Sequence, residues 1–174
     1  MAKLQDQVTA EDHIEGNEGA EMTLVEYGDY QCPHCAIGHV VVKRLQRHFG
    51  SRMRFVYRNF PLEEIHPLAE PAAEAAEFAG AQGRFWEMHD GIFENQRALS
   101  ERKLVELADG LGLDGEAMAQ AMEEQRFGDR ILREAEGGAR SGVHGTPTYF
   151  VNGEGIDARE YDELREAMEA VVTR

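Results

Sequence analysis

The stretch Met22-Thr23-Leu24-Val25-Glu26-Tyr27-Gly28-Asp29-Tyr30-Gln31-Cys32-Pro33-His34-Cys35 decides how the chain is read. Its last four residues hold both cysteines of the protein, spaced as Cys-x-x-Cys. An apolar run precedes them. Ile37, Val40, Val41, Leu45 and Phe49 follow at helical spacing. A Cys-x-x-Cys at such a strand-to-helix junction reads as a redox-active dithiol. Residues at i and i+3 share one side of a helical turn, within reach of disulfide geometry. Pro33 suits the first helical position, because it has no N–H to leave unpaired and its φ is already helical. Cys32 then stands at or next to the cap, facing free backbone N–H groups and the positive end of the helix dipole. A thiolate is stabilised there, and the thiolate is the nucleophile.

Working outward, Gly50 falls where a helix C-cap glycine belongs. Met53-Arg54-Phe55-Val56-Tyr57-Arg58 alternates and is rich in β-formers, so it reads as a strand. Strand, helix and strand in this order make a βαβ unit, a parallel pair with a right-handed crossover. Toward the N-terminus, residues 12–16 suit a short edge strand and residues 17–20 a turn. Past Asn59-Phe60-Pro61 only helical signals occur as far as Arg140. They predict helices over 70–81 and 84–95, one capped by Ser100 and closed by Gly110 and Gly112, one from Asp114 to Glu124, and one over 126–140. Thr148-Tyr149-Phe150-Val151 is then a strand, Asn152-Gly153 a tight turn, residues 154–156 a short edge strand and 158–172 an amphipathic helix. The expected class is α/β in the order β-α-β, inserted helices, β-β-α. Residues 12–62 and 141–174 form one domain, 63–140 an all-helical insertion, and 1–11 a flexible polar segment.

The chain has 174 residues, with 33 acidic against 18 basic and a net charge of −15. That balance argues against a nucleic-acid partner, since phosphates need Lys and Arg. No apolar run of about 18 residues is present, so no membrane span is expected. The N-terminal residues lack the apolar core of a signal peptide, which points to the cytoplasm, or to the periplasm or secretion if a leader has been removed. Two cysteines in one motif leave no separate disulfide framework. Nothing calls for a cofactor.

The segment Val25 to Cys35 resembles the active-site segment of the DsbA-like thiol–disulfide oxidoreductases. Gly145-Thr146-Pro147-Thr148 matches that family's cis-proline loop, and Phe85-Trp86-Glu87-Met88-His89 and Asn59-Phe60-Pro61-Leu62 are similar to further family stretches. The resemblance runs from about Asp12 to the C-terminus and implies a thioredoxin fold with a helical insertion. It implies that Cys32 is an exposed nucleophile and Cys35 a buried resolving thiol. Pro33 and His34 lie between them, His34 stabilising the Cys32 thiolate. Glu26 matches a buried acid that would take the Cys35 proton. Pro147 would be cis and face the sulfurs, and the Thr146 backbone would pair with an extended substrate chain.

The expected function is therefore disulfide exchange with protein or peptide substrates, most like a DsbA-type oxidant, with a redox recycling partner that the sequence does not name. A cytoplasmic address suits instead a thioredoxin-like reductase or isomerase. Two alternatives come from other classes. One is a metal-binding module using Cys32, Cys35 and His39, spaced Cys-x-x-Cys-x-x-x-His. The other is a non-catalytic interaction domain on the same fold. His48, His66, His89 and His144 read as structural. Tyr30, Phe60, Phe85, Trp86 and Phe93 read mainly as packing between the inserted helices and the sheet.

Overall fold

The computed structural model describes residues 2–173. Its elements, in chain order, are β1 (His13–Gly16), β2 (Met22–Gly28), α1 (Pro33–Phe49), β3 (Met53–Asn59), α2 (Ala69–Gly80), α3 (Phe85–Glu94), α4 (Glu101–Gly110), α5 (Gly115–Glu123), α6 (Gly128–Arg140), β4 (Thr148–Val151), β5 (Glu154–Ile156) and α7 (Tyr161–Val172). The strands form one sheet in the order β1-β3-β2-β4-β5. β2 and β3 are parallel, and the other neighbours are antiparallel. This is the expected α/β class, with the helices α2 to α6 spliced between β3 and β4.

Strand alternation sorts the core into two faces. Met22 and Leu24 of β2, Met53, Phe55 and Tyr57 of β3, and Tyr149 and Val151 of β4 belong to one cluster with buried residues of α1 to α7. Val25, Tyr27, Val56 and Phe150 share the other with Leu4, Val143 and Phe60. The central strand is thus buried on both sides, as its near-continuous apolar run requires. Each fully buried large side chain of this kind contributes roughly 1.5–3 kcal/mol. Glu26 has the parity of Met22 and Leu24, so it faces inward on the α1 side.

The helix starts follow the sequence. The Ser100 hydroxyl accepts from the Lys103 N–H and the Asp114 carboxylate from that of Ala117, both at 3.0 Å. Two helix starts differ from expectation by more than one residue. α6 begins at Gly128 and α7 at Tyr161, each a few residues late, because Phe127 and Glu160 are the N-cap residues.

The inserted helices join the sheet through aromatic packing. Tyr30, Tyr57, Phe85, Trp86, His89 and Phe93 form one ring cluster, and the Trp86 indole N–H donates to Ile14 O of β1. Phe60 does not belong to it. It has the parity of Val56 and Arg58 and packs edge-on against Tyr27 on the other face, where α6 comes close. Gly138 permits that approach, since a Cβ there would lie 2.9 Å from ring carbons of both Tyr27 and Phe60.

The described part of the N-terminal segment, expected to be flexible, is held in place. Leu4 is buried, Lys3 pairs with Glu154, the Leu4 N–H donates to Gly153 O, and the Gly155 N–H donates to Ala2 O. Asp6 and Gln7 give their carbonyls to Arg58. Among the described residues no helix is long and apolar enough to cross a membrane.

Candidate active site

Cys32 is the N-cap of α1, in extended conformation, and Pro33 opens the helix. The two cysteines are free thiols and both are buried, Cys32 at 4% and Cys35 at 0% exposure. The nucleophile expected to be exposed is therefore covered. The loop before β4 accounts for part of this, because the Cys32 sulfur lies 3.6 Å from the Thr146 carbonyl oxygen. The Thr146–Pro147 peptide bond is cis. Pro147 also packs toward α1, and so does Tyr149. A Cβ on Gly38 would lie 2.5 Å from the Tyr149 hydroxyl and 3.5 Å from Pro147 Cγ, so glycine is what lets the helix sit this close.

The two thiols are unequal. A hydrogen bond from the Cys35 thiol lowers the Cys32 pKa to about 5 against the opposing effect of burial, helped by the Thr146 side chain and the backbone N–H groups of Cys35 and His34. Burial first, then donation to Cys32 and the nearby Glu26, push Cys35 well above the usual thiol range. His34 thus acts through its backbone N–H, while its side chain is exposed.

Glu26 lies at 2% exposure and is flanked in the sheet by Tyr57 of β3 and Tyr149 of β4. Burial, and then the negative charge of Cys32, raise its pKa to about 8. Its Oε1 atom and the hydroxyls of Tyr57 and Tyr149 have no hydrogen-bond partner among the described residues. Glu26 bears on both Cys35 and Tyr149 electrostatically, so the acid, the two tyrosines and the Cys35 thiol form one buried polar nest.

Sequence reading passes over three residues that hold the dithiol turn. The Gln96 side chain donates to the carbonyls of Tyr30 and Cys32, both at 2.8 Å. Gln31 accepts from the Leu68 N–H at 2.6 Å, and Asp29 accepts from the N–H groups of Gln31 and Cys32. Only Asp29 leaves a sequence signal, an acceptor residue just before a helix start.

The metal set of Cys32, Cys35 and His39 is not what the fold brings together. His39 instead approaches His89 and Asp90, the one group of three possible ligands among the described residues. The Lys43 ammonium already lies 3.1 Å from Asp90. Both imidazoles are held neutral by burial and nearby positive charge, His39 down to about 4 and His89 well below the usual imidazole range. His89 further bonds the Tyr30 hydroxyl at 2.8 Å.

A parallel β2–β3 pair, a dithiol at the start of the connecting helix and a cis-proline loop beside it define a thioredoxin-fold dithiol protein. The thioredoxin family model matches residues 8–170, and the chain belongs to that family, with the helices α2 to α6 inserted between β3 and β4. Oxidised BdbD from Bacillus subtilis superposes with a TM-score of 0.85 at 23% identity, covering 94% of each chain. A thioredoxin-like oxidoreductase from Silicibacter pomeroyi superposes with a TM-score of 0.79 at 25% identity, covering 95% of each. In sequence, the chain is 43% identical over 142 residues to a protein of Salinispora arenicola named Na(+)/H(+) antiporter NhaA 1, which is 82% of this chain but 22% of that one. A NhaA antiporter of Herminiimonas arsenicoxydans is 39% identical over 160 residues, 90% of this chain and 25% of that one. The chain therefore spans about a fifth to a quarter of these curated relatives.

Proposed function

We propose that the protein exchanges disulfides with protein or peptide thiols through Cys32 and Cys35, in the direction of a DsbA-type oxidant. The observation that carries this reading is the split between the thiols: Cys32 lowered to about 5, Cys35 raised. In the oxidised protein, a substrate thiolate attacks the Cys32 sulfur. The Cys32–Cys35 bond breaks and Cys35 leaves, taking a proton from Glu26, which is protonated below about pH 8. A second substrate thiolate then attacks the substrate sulfur of the mixed disulfide. Cys32 leaves as a thiolate, which its low pKa favours, and the substrate's two electrons end on the two cysteines. Pro33 starts the helix whose N–H groups serve Cys32. Pro147 faces the sulfurs, and the Thr146 backbone pairs with an extended substrate segment.

A stabilised reduced form makes an oxidant. Such a protein suits an oxidising compartment better than the cytoplasm expected from the sequence, where the glutathione pool would keep it reduced. The transport named for the antiporter relatives is not carried over to these residues. The recycling partner would be a thiol–disulfide or quinone-linked oxidant that accepts electrons from Cys32.

Equilibration with reduced and oxidised glutathione tests the reading. A potential nearer about −120 mV than −270 mV supports an oxidant, and a value at or below the latter turns it into a reductase. Failure of both thiols to exchange would leave a binding domain.

A further inference from the structure

We propose that Asp29 and His66 are a positioning pair, which holds the Cys32 turn so that the first N–H groups of α1 point at the Cys32 sulfur and fastens that turn to the loop entering the helical insertion. The Asp29 side chain has 0% exposure. Its Oδ1 accepts from the Gln31 N–H at 2.7 Å and the Cys32 N–H at 3.2 Å. Its Oδ2 accepts from the Leu62 N–H at 2.9 Å and from His66 Nδ1 at 2.8 Å. One carboxylate therefore takes two donors from the dithiol turn and two from residues 62–66, which lie between β3 and α2.

A buried carboxylate is costly to desolvate unless its oxygens are satisfied. Here both are, and by donors from two separate segments. The Oδ1 bonds form an Asx-type turn, which sets where the chain enters α1. That entry decides which N–H groups face the Cys32 sulfur, and those of His34 and Cys35 are the ones that reach it. The Asp29 backbone N–H in turn serves the Cys35 sulfur. His66 donates through Nδ1–H to a carboxylate, a bond available in both the neutral and the charged ring. The Gln31–Leu68 bond, at 2.6 Å, runs parallel to it and closes the same seam. Asp29 and His66 touch no substrate in this account; they act through the backbone of Cys32.

The inference rests on Cys32 being the reactive thiolate, but its readout is a titration and not turnover, so the two can fail separately. The sign of the effect separates positioning from simple charge. Removing a negative charge beside a thiol lowers its pKa, whereas losing positioned donors raises it. The experiment follows Cys32 thiolate absorbance against pH in the full chain for Asp29→Ala and His66→Ala, with circular dichroism to establish folding. Asp29→Ala is expected to raise the midpoint by about one unit or more, and His66→Ala by less but in the same direction. A folded Asp29→Ala protein with an unchanged or lowered midpoint overturns the proposal. If Asp29→Ala does not fold, His66→Ala decides by the same criterion. A variant that melts lower while its titration is unmoved shows a structural role only, and also overturns it.

Discussion

The Cys32 sulfur meets the carbonyl oxygen of Thr146 at 3.6 Å across 114 positions of sequence. A thiol can donate to that carbonyl and a thiolate cannot. The Thr146 hydroxyl, buried and without another partner among the described residues, works the other way, since it can donate to the thiolate and lowers the Cys32 pKa. Thr146→Val keeps the shape and removes the donor. It is expected to raise the Cys32 pKa by about one unit, with little change in melting temperature. Ultraviolet titration of the thiolate measures it, and an unmoved midpoint would remove the hydroxyl from the account.

Cys35 does two things at once. Its thiol is the strongest influence lowering the Cys32 pKa, and it is the group expected to resolve the mixed disulfide. Cys35→Ala should therefore raise the Cys32 pKa and still accumulate mixed disulfides with a model peptide disulfide, whose second sulfur leaves as a thiolate, whereas Cys32→Ala accumulates none. Mass spectrometry of the trapped adducts decides. Equal trapping by the two variants would show that the nucleophile is misassigned.

Glu26 makes a pH-dependent contribution with a definite sign. Its folded pKa of about 8 lies above the ordinary carboxyl value of 4.5, so between these limits the folded state holds a proton that the unfolded chain has released. Stability from this group is fully present below the unfolded pKa and is lost as pH rises toward about 8. Glu26→Gln should stabilise the protein more at pH 8 than at pH 5, on the order of a few kcal/mol. It should also flatten the rise of the Cys35 step with pH, because the proton acceptor is gone. Thermal melts at the two pH values and stopped-flow resolution of a preformed mixed disulfide provide the two readouts.

The redox state should shift stability in the opposite pH sense. Reduced Cys32 has a folded pKa of about 5, below its unfolded value. Its gain is fully present above the unfolded pKa and is lost as pH falls through about 5. At pH 7 the gain is roughly 2–3 kcal/mol in favour of the reduced protein. The disulfide closes a very small loop, so its entropic gain is slight. Reduced protein is expected to melt higher than oxidised protein at pH 7, with the gap closing toward pH 5. An oxidised form that melts higher at pH 7 would favour a reductase.

Much of this was legible from local pattern. The βαβ unit, the caps at Ser100 and Asp114 and the late β-β-α all follow from spacing and end signals that act over a few residues. What escaped was set by contacts between distant segments. The burial of Cys32 depends on the Thr146 loop, and the tyrosines around Glu26 come from two other strands. Asp29 reads as a turn residue until residues 62–66 are folded against it. Phe60 packs between an inserted helix and the sheet as expected, but on the α6 face, because side-chain parity carries on past the end of β3. The polar start of the chain gave no hint of order, since its hydrogen bonds are made to β5 and Arg58.

The pairing of residues 2–4 with β5 bears on how the molecule behaves in a crowd. β5 is three residues long and ends the sheet, so its outer N–H and C=O groups would otherwise be free to add a strand from another chain. Ala2 and Leu4 occupy part of that row themselves. Trimming the first few residues would uncover a sticky border, and self-association that grows with protein concentration would be its sign.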